Sequence, residues 1–466
     1  MDRVEKQEEQ QDRWKELLLP ITFRHKSTLL KFDGRNPFEN DYGRLISSSP
    51  IRRLQDKTQV FPLEQSDFIR TRLTHSLEVS YIASSIGLSV EKKLFDKKYL
   101  DVNYVGQISS LLRVAGLIHD LGNPPFGHFG EEAIKAYFED YFSESANCAE
   151  LSEQQIKDFT CFDGNVQTFR ILRKLQFFKD EFSFNLTYPS IASIIKYPHN
   201  SIEGNQGKDA EHISLKKFGY FMSETNDYND IEAKLKLNNK RHPITYLLEA
   251  ADDIAFSAAD IEDGVKLGLI DFNKIKSVFE NNLDNNKDLL SDLDSLYAMF
   301  GKFENEKLFL SVQNFRVMTQ GKMIGAIIKS FEENYESIMN GTYPYELIDK
   351  SEAADIRKSY KELQSVVFDN KKIMQTELAG WEVIYGLLSI FIPACTSSNF
   401  KSKGNNKEAR LYKLISSSFR YIYENYNHDS TICDKYKKIQ LVVDFIAGMT
   451  DSFALDLYQK LKGIKL

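Results

Sequence analysis

The segment His119-Asp-Leu-Gly-Asn-Pro-Pro-Phe-Gly-His-Phe-Gly-Glu131 predicts the end of one helix, a tight turn and the start of another helix. Apolar residues recur at helical spacing up to Ile118, and Gly122 with the two prolines that follow ends that helix. A second helix is predicted to begin near Gly127. The adjacent His119 and Asp120 therefore lie at a helix end, where both side chains can face one bound group.

Helical periodicity dominates the chain on both sides of this segment. Further helices are predicted at 244–267, 312–332, 351–368, 372–391 and from 439 to near the end. Strand signals are sparse, and 58–63 is the best short candidate. The predicted fold class is all-α, with a helical core and a helical C-terminal extension. The expected organisation is an N-terminal segment at 1–50 anchored by Trp14 and Leu17 to Leu19, a catalytic core at 51–280 and a C-terminal region at 281–466.

Composition narrows the class of protein. The chain has 466 residues, of which 42% are hydrophobic and 27% are charged, as in globular proteins with a large core. A net charge of −7 argues against a surface that binds nucleic acid throughout. The four cysteines form no CxxC pair and are expected to be reduced thiols. The charged start and the expected lack of a run of about 20 apolar residues indicate a cytoplasmic protein.

Two remote segments complete a set of metal-binding side chains. His75 lies in Arg70-Thr-Arg-Leu-Thr-His-Ser-Leu-Glu78, and Asp252 lies in Glu249-Ala-Ala-Asp-Asp-Ile-Ala-Phe256, beside the competing carboxylate of Asp253. Together with His119 and Asp120 they can form one site from three helices. Imidazole with carboxylate suits manganese, iron, cobalt or zinc, and magnesium where its abundance outweighs its preference for oxygen. Such a site leaves positions open for water and a phosphate oxygen.

The same part of the sequence offers groups for proton transfer and for phosphate binding. His128 precedes Glu131 by three residues, one helical turn, so the carboxylate can orient the imidazole and raise its basicity. A simple salt bridge at a helix start is the alternative. Arg72 precedes His75 by three residues, which places a guanidinium on the helix face of a predicted metal ligand.

These motifs resemble those of the HD-domain superfamily and, within it, the bacterial deoxyguanosine triphosphate triphosphohydrolases. The resemblance covers about 51–63 through the Asp252 segment and returns at Asp444-Phe-Ile-Ala-Gly-Met-Thr-Asp451. By this resemblance His75, His119, Asp120 and Asp252 match the family's metal ligands. His128 and Glu131 match a catalytic dyad beside the metal.

The resemblance also implies a set of substrate contacts. Lys196 and Lys217 match basic residues that face the polyphosphate, whereas Asp260 and Gln59 match residues that bind the sugar 3′-hydroxyl. Val60 would line the deoxyribose pocket and exclude a ribose by close packing. Phe256 stands where the family usually has a tyrosine, so one hydroxyl contact is lost.

The expected activity is a metal-dependent dNTP triphosphohydrolase with dGTP favoured, in which water attacks the α-phosphorus and deoxyguanosine and inorganic triphosphate are released. Mn²⁺ or Mg²⁺ is the expected ion, with Co²⁺, Fe²⁺ or Zn²⁺ as alternatives. The resemblance implies a homo-oligomer, often a hexamer, and activation by a second dNTP. Single-stranded DNA binding occurs among relatives, but no basic and aromatic tract supports it here. Two alternative functions stay open: an HD phosphohydrolase of nucleoside monophosphates or alarmones, and a non-catalytic HD nucleotide sensor.

Overall fold

The computed structural model describes residues 3–24, 33–64, 66–176, 180–303, 306–401, 406–425 and 430–464. The regular structure within these ranges is helical throughout, and β pairing is limited to two isolated bridges, Thr22 with Thr187 and Thr58 with Thr71. The all-α prediction is therefore confirmed. The candidate strand at 58–63 is wrong, because only Thr58 pairs and the residues after it form bends and turns.

The described residues form twenty-two α-helices, twelve of them in the first half of the chain. They are α1 Arg3–Leu17, α2 Pro37–Ile46, α3 Ser49–Arg53, α4 Arg72–Asp96, α5 Gln107–Ile118, α6 Gly127–Ser143, α7 Ser145–Cys148, α8 Glu153–Thr160, α9 Gly164–Arg170, α10 Tyr188–Ala192, α11 Thr225–Leu235 and α12 Pro243–Lys266. A π-helical turn, Ile171–Leu175, continues α9.

The second half contains ten. They are α13 Phe272–Asn282, α14 Asp288–Met299, α15 Lys307–Glu333, α16 Tyr335–Met339, α17 Ala354–Phe368, α18 Lys371–Thr396, α19 Lys407–Leu414, α20 Ser417–Asn425, α21 Asp434–Ala447 and α22 Asp451–Leu461. The long helix expected from 439 onward is two helices, α21 and α22, because the chain turns at Gly448 and Thr450 caps the second helix.

Helices α4, α5 and α12 form the centre of the molecule and pack on one another. Glycines permit the close approach of α4 and α5: a Cβ on Gly116 would lie 2.6 Å from Ser80 Cα, and one on Gly87 would lie 2.7 Å from Ser109 Cα. A capping box between Thr71 and Thr74 starts α4. This packing brings the first turn of α4 beside the last residue of α5.

The C-terminal helices complete the core around this centre. Helix α12 packs against α15 and α17, and α18 packs along α6 and α21. The N-terminal helix is part of the same core, since Trp14, Leu17 and Leu18 are fully buried. Leu19, which was expected to anchor this segment with them, is 36% exposed. The indole Nε1 of Trp14 donates to the hydroxyl of Tyr335, 2.9 Å away.

Helix α18 corrects one expectation about hydropathy. Among the described residues it is the one helix whose length and composition would allow it to cross a membrane, and half of its most apolar window is buried inside the protein. The sequence analysis expected no segment of this kind. Its packing against α6, α19, α21 and α22 is that of a core helix, which explains why so many of its residues are apolar.

Candidate metal centre

Three helices bring two imidazoles and a carboxylate together. His75 lies in the first turn of α4, His119 directly follows α5, and Asp252 lies on α12. The Oδ1 atom of Asp252 lies 3.1 Å from His75 Nε2 and 3.4 Å from His119 Nε2. One ligand atom from each residue lies within 4.8 Å of the other two. These groups are close enough to bind a single ion.

The hydrogen bonds of His119 show which of its nitrogens is available. Its Nδ1 donates to the carbonyl oxygen of Gly116 at 2.8 Å, which fixes the tautomer and leaves a lone pair on Nε2. That Nε2 atom is buried and forms no hydrogen bond within the described part of the chain. An unpartnered nitrogen in a buried site is costly unless something binds it. The available Nε2 of His119, beside a second imidazole and a carboxylate, is a set of donors that suits a divalent cation.

Asp120 lies at the edge of this cluster. Its Oδ1 is 3.6 Å from His119 Nε2, and its Oδ2 accepts a 2.5 Å hydrogen bond from Arg72 Nη1. Burial opposes ionisation of this carboxyl, but the charges of His119 and Arg72 lower its pKa to about 2. The structure therefore brings Asp120 beside the three converging residues as an ionised carboxylate held by Arg72.

The two acidic neighbours on α12 face different partners. Asp252 faces the histidine pair, whereas Asp253 pairs with Arg357 of α17, with its Oδ2 2.8 Å from Nη2. Burial raises the pKa of Asp253 to about 7 despite the charge of Arg357. The expectation that Asp252 rather than Asp253 belongs with the histidines agrees with this geometry.

The carboxylates of the cluster change the pKa values of the basic groups beside them. Burial disfavours the charged form of His119, but the carboxylates of Asp120 and Asp252 raise its pKa above the usual value. The Lys196 ammonium lies 3.7 Å from Asp252 Oδ2, and that carboxylate raises the pKa of Lys196 against the effect of burial. Arg72 and Lys196 are therefore cations placed directly beside the candidate ligand carboxylates.

His128 and Glu131 lie in the first turn of α6, as the sequence predicts for its start. His128 Nδ1 is 3.5 Å from Glu131 Oε2, and the pKa of His128 is raised chiefly by its hydrogen bond to Glu131. The other oxygen, Glu131 Oε1, accepts from the backbone N–H of Gly164 at 2.8 Å. The His128 side chain is 73% exposed and that of Glu131 only 9%. The carboxylate is thus fixed by the protein, while the imidazole is open to solvent.

The remaining predicted contact residues differ in their surroundings. Lys217 donates to Asp163, and the Asp260 carboxylate accepts a 2.9 Å hydrogen bond from Gln364 of α17. Burial raises the pKa of Asp260 well above its usual value. Gln59 has a buried Oε1 without a partner among the described residues. Val60 is buried, and Phe256 is half-buried.

Several residues that support the site were not indicated by the sequence. Asp163 binds Lys217, Gly164 binds Glu131, and a Cβ on Gly164 would lie 2.1 Å from Asn123 Oδ1. The Asp163-Gly164 pair is a turn signal, but nothing in its local pattern indicates contact with a segment 33 residues earlier. The buried Lys57 and Asp451 were likewise not singled out as individual residues.

Comparisons with known proteins agree with this geometry. The chain matches the family model of the HD domain over residues 72–235 and that of the phosphohydrolase-associated domain over 397–460. It is 41% identical to a deoxyguanosinetriphosphate triphosphohydrolase-like protein of Listeria innocua over 446 residues, which is 93% of this chain and 95% of that protein. Proteins with the same description from Listeria monocytogenes and Synechocystis sp. are 40% and 31% identical, each over 93% of this chain and 95% of their own length.

Proposed function

The chain belongs to the HD-domain family of deoxyguanosinetriphosphate triphosphohydrolase-like proteins, and from this premise we propose that it is a metal-dependent dNTP triphosphohydrolase that favours dGTP. Membership supports a hydrolase that acts on nucleotides and has a metal-binding cluster. The finer proposal concerns the bond that is cleaved. Water attacks the α-phosphorus, the bond to the sugar 5′-oxygen breaks, and a deoxynucleoside and intact inorganic triphosphate leave.

The convergence of His75, His119 and Asp252 is the observation that carries this proposal. Asp120 is proposed as the fourth ligand, since its ionised carboxylate lies beside the three. When bound, a divalent ion would supply positive charge for the α-phosphate and orient it. Mn²⁺ or Mg²⁺ is the proposed ion, and Co²⁺, Fe²⁺ or Zn²⁺ would suit the same donors.

Cations of the protein would bind the rest of the polyphosphate. Arg72 lies beside Asp120, and Lys196 lies beside Asp252. A polyphosphate bound next to the ion would place its negative oxygens close to these two cations. The planar guanidinium of Arg72 can form two parallel hydrogen bonds to phosphate oxygens, and its buried Nε has no partner among the described residues. Lys217, whose side chain is 36% exposed, is proposed to bind phosphate from the other side of the dyad.

His128 is proposed to move the proton in this reaction. Glu131 holds the side of the ring that carries Nδ1, so Nε2 faces outward and can exchange a proton with water or with the leaving oxygen. The hydrogen bond to Glu131 raises the pKa of His128 and so makes the imidazole a stronger base. The backbone N–H of Gly164 in turn donates to Glu131, and this hydrogen bond fixes the carboxylate that orients His128.

The sugar contacts are proposed from the resemblance together with the burial of Asp260, Val60 and the Oε1 atom of Gln59. Asp260 and Gln59 would bind the 3′-hydroxyl, and the unpartnered Oε1 of Gln59 is an acceptor that such a hydroxyl can satisfy. Val60 would pack against C2′ and leave no room for a 2′-hydroxyl. Phe256 supplies an apolar ring in place of the tyrosine usual in the family.

Analysis of products tests the proposal directly. Purified protein supplied with Mn²⁺ or Mg²⁺ is incubated with each of the four dNTPs, singly and in pairs, and the phosphate products are separated by ion-exchange chromatography. We expect inorganic triphosphate, with dGTP cleaved fastest and pairs of dNTPs revealing activation. Pyrophosphate or orthophosphate as the first product would refute the bond assignment. His128→Ala separates an enzyme from a nucleotide sensor, because only an enzyme has turnover to lose.

The assembly and location of the protein are further parts of the proposal. A homo-oligomer, with a hexamer as the expected form, and activation by a second dNTP come from the family resemblance alone. A cytoplasmic location is proposed separately, on the expectation that the four cysteines are reduced thiols. Size-exclusion chromatography with light scattering, with and without dNTP, measures the first of these.

A further inference from the structure

A buried carboxylate from the C-terminal region contacts the start of the helix that carries His128. Asp451, the first residue of α22, is 2% exposed. Its Oδ1 accepts a 3.0 Å hydrogen bond from the backbone N–H of Phe126. Its Oδ2 accepts from the backbone N–H of Thr58 at 3.0 Å and from the Thr58 hydroxyl. One side chain therefore joins three segments that are far apart in the sequence.

The backbone at this contact has an unusual conformation. Phe126 directly precedes α6 and has φ of +63°, and Gly127 follows with φ of +60°. A side-chain-bearing residue in this left-handed region is held there by its surroundings at a cost of about 1 kcal/mol or more. The hydrogen bond to Asp451 is one such restraint. Helix α18 supplies another, because a Cβ on Gly380 would lie 2.5 Å from Phe126 Cγ.

A buried lysine contacts the same junction. Lys57 is 3% exposed, and its Nζ donates to the carbonyl oxygens of Asn123 at 2.5 Å and of Ala447 at 2.8 Å. Asn123 belongs to the turn between His119 and α6, and Ala447 is the last residue of α21. The turn is therefore linked to the C-terminal helices at two points. Lys57 connects Asn123 to α21, and Asp451 connects Phe126 to α22.

We propose that Asp451 is a positioning residue for His128: by fixing the left-handed turn at Phe126, it sets the direction in which α6 begins. His128 is the second residue of α6, two positions after Phe126, so a change at the turn moves the imidazole relative to Glu131 and the metal cluster. Asp451 itself contacts neither. This inference rests on the proposed function, because it gives His128 a role in turnover.

The chemistry of the junction makes Asp451→Asn an informative substitution. Asn keeps the shape of Asp but has one acceptor oxygen, whereas Asp451 accepts from Phe126 on one oxygen and from Thr58 on the other. The amide NH₂ must then face one of the two backbone N–H groups, and that contact is repulsive. Ser452 offers a matched control, since its hydroxyl bonds Asp56 at the surface at 2.8 Å.

A double-mutant cycle with His128→Ala tests the proposal. We expect Asp451→Asn to lower kcat by about tenfold to a hundredfold, because displacement of a reacting group by about 1 Å has effects of that size. The KM for dNTP is expected to rise as well, because Asp451 also holds Thr58, which directly precedes the proposed sugar contacts Gln59 and Val60. The effect on His128 is therefore measured by kcat. In the His128→Ala background the same substitution should cause no further loss. Ser452→Ala should retain kcat in the wild-type background.

An equal loss in both backgrounds would overturn the proposal, since Asp451 would then act on the fold in general. Hydrogen–deuterium exchange gives a readout that needs no activity: Asp451→Asn should speed exchange in peptides from the start of α6, and unchanged exchange there would also overturn it. If the wild-type protein is inactive and Asp451→Asn still speeds exchange at the start of α6, the proposed function is refuted. The conclusion that Asp451 fixes the start of α6 would remain. Should Asp451→Asn fail to fold, Gly380→Ala carries the same cycle, because its methyl group displaces Phe126 from the other side.

Discussion

Two buried groups of charges in this protein are built in opposite ways. Around Arg170, every nitrogen of the guanidinium donates to a carboxylate: Nε and Nη2 donate to Asp444, and Nη1 donates to Glu224, each at 2.7 Å. In the cluster on α4, α5 and α12, the buried Nε2 of His119 has no hydrogen bond to the described residues, although the Asp252 carboxylate is 3.4 Å away. The first group satisfies itself and holds helices together. The second leaves binding capacity unused, as a site for a ligand does.

The largest effect is expected at the unsatisfied group. His119→Gln removes one ligand atom, and we expect it to abolish metal binding and to lower turnover by about 10⁴-fold, about 5 kcal/mol of transition-state stabilisation. The free energy of unfolding should change much less, because Nε2 makes no hydrogen bond to any described residue. Metal content by mass spectrometry and dNTP turnover are the measurements.

Chelation of the wild-type protein provides the control for this variant. Removal of the ion should give the same loss of turnover, and addition of Mn²⁺ or Mg²⁺ should restore it in the wild type alone. A His119→Gln protein that binds metal as tightly as the wild type would contradict the assignment of the cluster.

The satisfied group should respond in stability instead. Arg170→Leu leaves the carboxylates of Asp444 and Glu224 buried without their cation, and we expect the free energy of unfolding in urea to fall by about 3–5 kcal/mol. Lys322→Ala is the matched control, because the ion pair of Lys322 with Asp288 is largely exposed and should contribute about 0–1 kcal/mol. Equal losses in the two variants would remove the distinction between the groups.

His242 extends the comparison to a second buried histidine. Both of its nitrogens are satisfied: Nε2 donates to the Leu17 carbonyl at 3.0 Å, and Nδ1 accepts from the Ile244 N–H at 3.2 Å. Burial lowers the pKa of His242 from 6.5 to about 4, so the ring stays neutral in the folded state. Its contribution to stability is complete above pH 6.5 and is lost as the pH falls to 4, by about 3 kcal/mol in total.

Comparison with His242→Asn isolates this contribution, because Asn keeps the acceptor that caps α12 and does not titrate. Urea unfolding at pH 7, 5.5 and 4 should show a steeper loss of stability on acidification in the wild type than in the variant. Parallel pH profiles would show that His242 is not the group responsible.

The smallest effect is expected at the neighbour of the cluster. Asp253→Asn should change the free energy of unfolding by less than about 1 kcal/mol and leave metal affinity intact, because Arg357 retains Glu346 and Asp349. Asp252→Asn should lose the ion. Calorimetric titration with Mn²⁺ compares the two, and loss of affinity in Asp253→Asn but not in Asp252→Asn would reverse their roles.

The sequence was sufficient to predict the helices because their signals are local. The predicted helix at 312–332 is Lys307–Glu333, and the one at 244–267 is Pro243–Lys266. The prediction of a single helix from 439 onward was wrong because the turn at 448–450 contains no proline and only one glycine. The candidate strand failed because residues of strand-like composition found no partner strand.

The residues of the site also fall into two classes: those indicated by local motifs, and those whose contacts lie far away in the sequence. Motifs indicated His75, His119 and Asp252, and the structure places them together. The contact of Thr58 with Asp451 spans 393 positions, and periodicity cannot indicate a pairing at that separation. The acidic partner of Lys217 was also outside prediction, since a buried Asp163 looks like a turn residue in the sequence.

The bonds from Lys57 to Ala447 and from Thr58 to Asp451 also bear on biosynthesis. All four candidate ligands have been synthesised once the helix with Asp252 is made, yet the residues that hold the turn before His128 lie almost 200 positions further along the chain. A nascent or prematurely terminated chain can therefore present the histidines without the turn that directs them. If Asp451 positions His128 as proposed, the geometry needed for turnover forms only when translation is nearly finished.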